Sequence, residues 1–161
     1  MKVNWARAAL AGVLGTILFD VVGLLLTHKF WDIPALLGSK LVGEHALLAG
    51  VCAHYANGVL IAIIYAALEP SLWGNRWARA LTFITAQTVF GVWLFMLPLL
   101  GAGFMGLKMG HAVPVVTLLR HWAYAIPLAL LSPLQKQLVQ APLTMPADRN
   151  ESPYGRARKA G

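Results

Sequence analysis

Residues 46–68 read ALLAGVCAHYANGVLIAIIYAAL, a run of 23 residues without one Asp, Glu, Lys or Arg. A helix rises about 1.5 Å per residue, so about 20 apolar residues cross a ~30 Å hydrocarbon layer. A surface helix of a soluble domain would need a polar face, and this stretch has none. It predicts a transmembrane helix that carries His54 and Asn57 inside it. Three further stretches of the same character, 5–27, 78–100 and 112–132, predict three more spans.

The composition agrees. Of 161 residues, 58% are hydrophobic and 12% charged, and mean hydropathy is +0.66, whereas soluble domains hold about 45–50% apolar and about 25% charged residues. These values exclude a soluble globule, a disordered chain and a disulfide scaffold. The expected fold is all-α: a four-helix transmembrane bundle over residues 1–134, followed by a disordered basic tail over 135–161 that is polar and punctuated by Pro142, Pro146 and Pro153. The net charge of +7 would point to nucleic acid in a soluble protein, but basic residues also collect beside membrane spans on the cytoplasmic side. Nucleic acid is therefore not an expected partner; the lipid bilayer is, with a second copy or a larger membrane complex as further partners. Cys52 is the only cysteine, expected as a small buried apolar side chain.

Orientation follows from the same basic residues. With both termini in the cytoplasm, nine of them (Lys2, Arg7, Arg76, Arg79, Lys136, Arg149, Arg156, Arg158 and Lys159) lie inside, against Lys29, Lys40 and Lys108 outside. That asymmetry predicts a multi-pass membrane protein with both ends on the cytoplasmic side. Lys2 and Arg7 precede an apolar core as in a secretory signal. Asp20 and the apolar residues 21–26 then stand where a small-residue cleavage site would be, so the first span is expected to stay as an anchor. Between the first two spans, Asp32-Ile-Pro34 reads as a helix start and predicts a short amphipathic helix over 33–43 lying on the outer surface. The glycine-rich segment 101–110 lacks the Gly-Lys-Ser/Thr ending of a phosphate loop, which rules out that nucleotide motif.

The polar residues within the spans carry the functional reading. Lipid tails are as apolar as leucine, so membrane helices associate through small residues. The first span has a stripe Ala8, Gly12, Thr16, Asp20. The second has Ala46, Gly50, His54, Gly58, Ala62, Ala66; the fourth has Thr117, His121, Ala125, Ala129; Gln87 and Gly91 mark a weaker version in the third. Each stripe thus contains a strongly polar residue. Helical rise puts Asp20 and His54 roughly 10 Å below the outer ends of their spans, with Arg120, His121 and Gln87 somewhat deeper. Asp20, His54, Asn57, Gln87, Arg120 and His121 are therefore expected to form one cluster in the outer half, with Asp20 paired to Arg120 because a lone intramembrane charge is expensive. One role open to this cluster is structural, an ion pair holding the helices in register. Another is a ligand-binding or proton-relay site.

From Ala11-Gly-Val-Leu-Gly-Thr16 through Leu131 the chain resembles a family of small four-helix bacterial inner-membrane proteins known only as a domain of unknown function. The resemblance is carried by Asp32-Ile-Pro-Ala-Leu-Leu-Gly38, by His54 with Gly58, and by Tyr65-Ala66 and Trp93. It continues in Pro98-Leu-Leu-Gly-Ala-Gly-Phe104 and in His121 with Tyr124. It implies the four-helix fold and gives weight to His54 and His121; it implies no activity.

Alternatives stay open at this point. Haem b could be held by His54 and His121 as axial ligands, with Gly50 and Gly58 making room for the porphyrin and Arg120 meeting a propionate. Copper(I) could bind at the outer rim, where Met105, Met109 and His111 combine thioether and imidazole donors that His28 and His45 would complete. A non-enzymatic bundle or accessory subunit is favoured over an enzyme. The chain has only six carboxylates, just one of them deep in a span, and no nucleophile–base pairing.

Overall fold

The computed structural model describes residues 3–43 and 46–131; the expected tail over 135–161 lies outside them. Helix α1, Trp5–Thr27, starts where Asn4 accepts a hydrogen bond from the Arg7 amide at 3.0 Å. It ends at His28, which turns into the left-handed region and donates its amide to the Leu24 carbonyl at 2.8 Å. Helix α2, Asp32–Leu41, begins with the Asp32 carboxylate accepting the Ile33 amide at 2.8 Å, close to the expected 33–43. Helix α3 is Leu47–Leu68, followed by a 3-10 turn at Glu69–Ser71. Asn75 then caps α4 by accepting the Trp77 and Ala78 amides, both at 3.0 Å.

Helix α4, Arg76–Leu99, is not uniform: Thr88–Met96 winds as a π-helix. Such wider turns are rare and, where they occur, are frequently at functional sites. The connection that follows, 100–112, bends through positive φ at Gly101, Gly103, Met105, Gly106 and Gly110. Four of those five positions are glycine because a Cβ disfavours that region. Helix α5 is Val113–Leu131. Thus α1, α3, α4 and α5 are each long and apolar enough to cross a membrane, in the places the hydropathy of the sequence predicts.

Packing follows the small-residue stripes. Helices α1 and α5 lie together at the centre; α3 packs on α1, α4 on α5, and α2 on α3. At the α1–α3 crossing, a Cβ on Gly12 would stand 2.7 Å from Val59 Cα, and one on Gly58 would overlap Thr16 Oγ1. The α2–α3 contact is as close, with Gly50 facing Pro34 and Gly38 facing Ala46. Tyr124 of α5 lays its ring on Gly15, where a Cβ would be 2.6 Å away, and donates its hydroxyl to the Gly58 carbonyl at 2.5 Å. Large apolar side chains such as Leu48, Phe90 and Leu99 point outward. Cys52, expected inside, is on the outside too.

Helices α3 and α4, although joined by the shortest connection between any two of the long helices, meet only at the end that carries it. There Tyr65 and Phe83 place their ring centroids 5.3 Å apart, and Arg79 lies 4.0 Å from Glu69. Toward the α2 end the two helices leave a space between them.

Candidate ligand site

That space is a cavity of about 500 Å³, within the range of small-molecule pockets. Helix α3 lines it with His54, Asn57, Gly58 and Ile61, and α4 with Gln87, Gly91, Val92 and Phe95. Thr16 and Phe19 of α1 form part of the floor, with Thr117, His121 and Tyr124 of α5 beside them. At the α2 end, Thr27, Asp32 and Arg120 close it. The walls are mainly apolar, with polar groups from every long helix facing in.

Asp20, on the buried stripe of α1, is 5% exposed and does not itself line the cavity. It lies behind His54, whose Nε2 is 3.2 Å from Asp20 Oδ1. A carboxylate only accepts, so Nε2–H donates, the ring is held in one orientation, and Nδ1 is left for other chemistry. Tyr55 adds a long contact, its hydroxyl donating to Asp20 Oδ2 at 3.5 Å. His121, one turn beyond Thr117 on α5, donates Nδ1–H to the Thr117 carbonyl at 2.7 Å, which leaves its Nε2 uncommitted. The Phe19 ring contacts both imidazoles, with centroids 5.3 Å from His54 and 4.9 Å from His121. Gln87 faces the cavity from the residue before the π-helical segment, and its Oε1 is buried without a hydrogen-bond partner.

Arg120 does not pair with Asp20 as the sequence suggested. Its Nη1 and Nη2 each donate to Asp32 of α2 at 2.8 Å, and Nη2 lies 3.3 Å from Thr27 Oγ1. The reason is a slot. Gly23 sits three residues beyond Asp20 toward the α2 end, and a Cβ there would overlap the guanidinium. The long Arg120 side chain passes over Gly23 and takes its charge toward that end. Asp32 was legible as a helix start but not as the partner of a residue 88 positions away.

The structure therefore brings together His54, Asn57, Gln87, Arg120 and His121 around one cavity, with Asp20 bonded to His54 behind the wall. Phe19, Thr27, Asp32, Thr117 and Tyr124 belong to the site as well; of these, sequence periodicity marked Thr117 alone, and only as part of a packing stripe. Of the rim set, Met105, Met109 and His111 lie in the 100–112 connection, Met109 lining the cavity and His111 exposed, and His28 is exposed at the end of α1; His45 lies outside the described residues. Among the described residues no group of three or more His, Cys, Asp or Glu side chains could hold a metal ion. For haem, His54 would have to ligate through Nδ1, since Asp20 holds Nε2, and Phe19 occupies space against both imidazoles. Comparison with protein-family models, curated proteins and solved structures returns no match, so the site is read from its own chemistry.

Proposed function

We propose that this is a non-enzymatic, multi-pass protein of the bacterial inner membrane that binds a small lipophilic molecule between α3 and α4, in the outer half of the bilayer. The observation that carries this reading is the unpaired Gln87 Oε1 beside the cavity. A buried acceptor left unsatisfied costs about 1–3 kcal/mol, and a bound molecule with a donor group removes that penalty. His54, steadied by Asp20, and His121 supply two more polar groups to the same volume, so a ligand with an apolar body and one polar head is the match. Membership of the small four-helix family is part of the same proposal, on the residues given above.

Photolabelling tests it. The full chain in phosphatidylcholine nanodiscs is irradiated with a benzophenone carrying an aminomethyl, hydroxymethyl or carboxyl head, and adducts are mapped by peptide mass spectrometry. At least one head is expected to label cavity residues such as Ile61 and Phe95, and Gly91→Trp, which fills the cavity, is expected to abolish that labelling. Adducts confined to outward-facing residues, unchanged by Gly91→Trp, would refute the reading.

A further inference from the structure

The charges around the cavity narrow the class of ligand. Helix α1 supplies Asp20, α2 Asp32, α3 His54 with Tyr55 beside it, and α5 Arg120, His121 and Tyr124. Helix α4 contributes Gln87 but no titratable side chain to the lining. Among the described residues, two carboxylates thus face one guanidinium, and the site holds one negative charge in excess while both imidazoles are neutral. Arg120 is already charge-paired, because both its terminal nitrogens donate to Asp32 at 2.8 Å, although its Nε–H has no partner. The excess belongs to Asp20, whose polar partners are the His54 imidazole at 3.2 Å and the more distant Tyr55 hydroxyl. In a low-dielectric interior the state with no net charge is favoured. One added positive charge achieves it, either as a proton on the Asp20–His54 pair or as a monovalent cation in the cavity.

The other groups suit a cation with an apolar body. Gln87 Oε1 is a buried acceptor without a donor, and an ammonium ion carries only donors. The Phe95 and Tyr124 rings line the same volume, and aromatic faces attract cations; the Phe19 ring already carries the Arg120 guanidinium, 5.4 Å from its centroid. Asn57 and Phe95 are both cavity-lining and exposed, Phe95 at 66%. They mark an opening on the lipid-facing side between α3 and α4, the route for a molecule dissolved in the bilayer.

We infer that the ligand is a lipophilic ammonium ion and that it competes with a single proton held by the Asp20–His54 pair. This rests on the cavity being the binding site proposed above. No bond is made or broken: the proton leaves to water as the ammonium ion enters. The same three benzophenones, matched except for the head, test it in uncharged phosphatidylcholine nanodiscs between pH 5 and 8. The aminomethyl compound, which keeps its proton over that range, is expected to label the cavity at least about tenfold more than the hydroxymethyl or carboxyl compound. Its labelling at sub-saturating concentration is expected to fall as pH is lowered, by up to about tenfold per pH unit for a one-proton exchange. Asp20→Asn is expected to remove both the preference and the pH dependence. Should that variant fail to fold, the pH series on the unaltered chain still decides. Cavity labelling that is independent of pH, or strongest with the neutral or anionic head, overturns the cation assignment and leaves the cavity reading standing. No cavity labelling by any of the three overturns both.

Discussion

Removing Asp32 should injure this protein more than removing the arginine it pairs with. In Asp32→Ala the Arg120 guanidinium, 3% exposed at its side chain, loses two 2.8 Å hydrogen bonds and keeps the 3.3 Å contact to Thr27 and the Phe19 ring 5.4 Å away. A buried charge stripped of its partner costs about 3–5 kcal/mol. The Asp32 side chain is 29% exposed, so solvent screens part of the interaction and the lower end, about 3 kcal/mol, is expected. In Arg120→Met the remaining Asp32 carboxylate is partly solvated, and the loss should be about 1 kcal/mol. The double variant carries no buried charge at this place and should be more stable than Asp32→Ala alone. Reversible unfolding in mixed micelles, followed by tryptophan fluorescence, measures all four corners of the cycle. Equal losses for the two single variants, adding up in the double, would show that Arg120 and Asp32 are not coupled and would refute the assignment of this ion pair.

Further outcomes can be checked in the same assay. Gln87→Leu should leave stability unchanged or raise it by about 1–2 kcal/mol, because an unsatisfied buried acceptor disappears, while weakening photolabelling of the cavity. Tyr124→Phe should cost about 1 kcal/mol through the lost hydrogen bond to the Gly58 carbonyl. Gly58→Val should cost about 1–3 kcal/mol or more by overpacking, since any Cβ there meets Thr16 Oγ1; a neutral result would mean that α1 and α3 do not cross at that point. Gly91→Trp should fold normally, as its Cβ meets only the Gln87 side chain, 3.3 Å away, and its ring can enter the cavity; an unchanged circular dichroism spectrum is the expected result.

Much of the fold is written in one-dimensional terms. Uncharged runs of span length set the four long helices, and the spacing-four stripes set which faces pack. Gly12, Gly58 and Tyr124 show why: close approach demands small residues at fixed helical intervals. The site is only half legible by the same means. Periodicity and depth could gather Asp20, His54, Gln87, Arg120 and His121 into one region, but not decide who bonds to whom. Asp20 and Arg120 are the sole opposite charges well inside the spans, so pairing them was the simplest choice. Arg120 is long enough to pass Gly23 and reach a carboxylate on another element, and residue spacing within a span carries no trace of that. The cavity was equally hidden. It depends on α3 and α4 parting beyond Tyr65 and Phe83 and on the π-helical stretch of α4, which follow from three-dimensional packing rather than from local pattern.

The account stands on Asp20 belonging to His54 at the wall of the cavity. Solid-state NMR of the lipid-reconstituted chain, with the Asp20 carboxyl carbon and the imidazole and guanidinium nitrogens labelled, reads this directly. A strong dipolar coupling from the Asp20 carboxyl to Nε2 of His54, matching the 3.2 Å nitrogen–oxygen separation, and none of comparable strength to Arg120, is the predicted result. A dominant coupling between Asp20 and the Arg120 guanidinium would contradict it, leaving His54 without its carboxylate and moving the unpaired charge from Asp20 to Asp32.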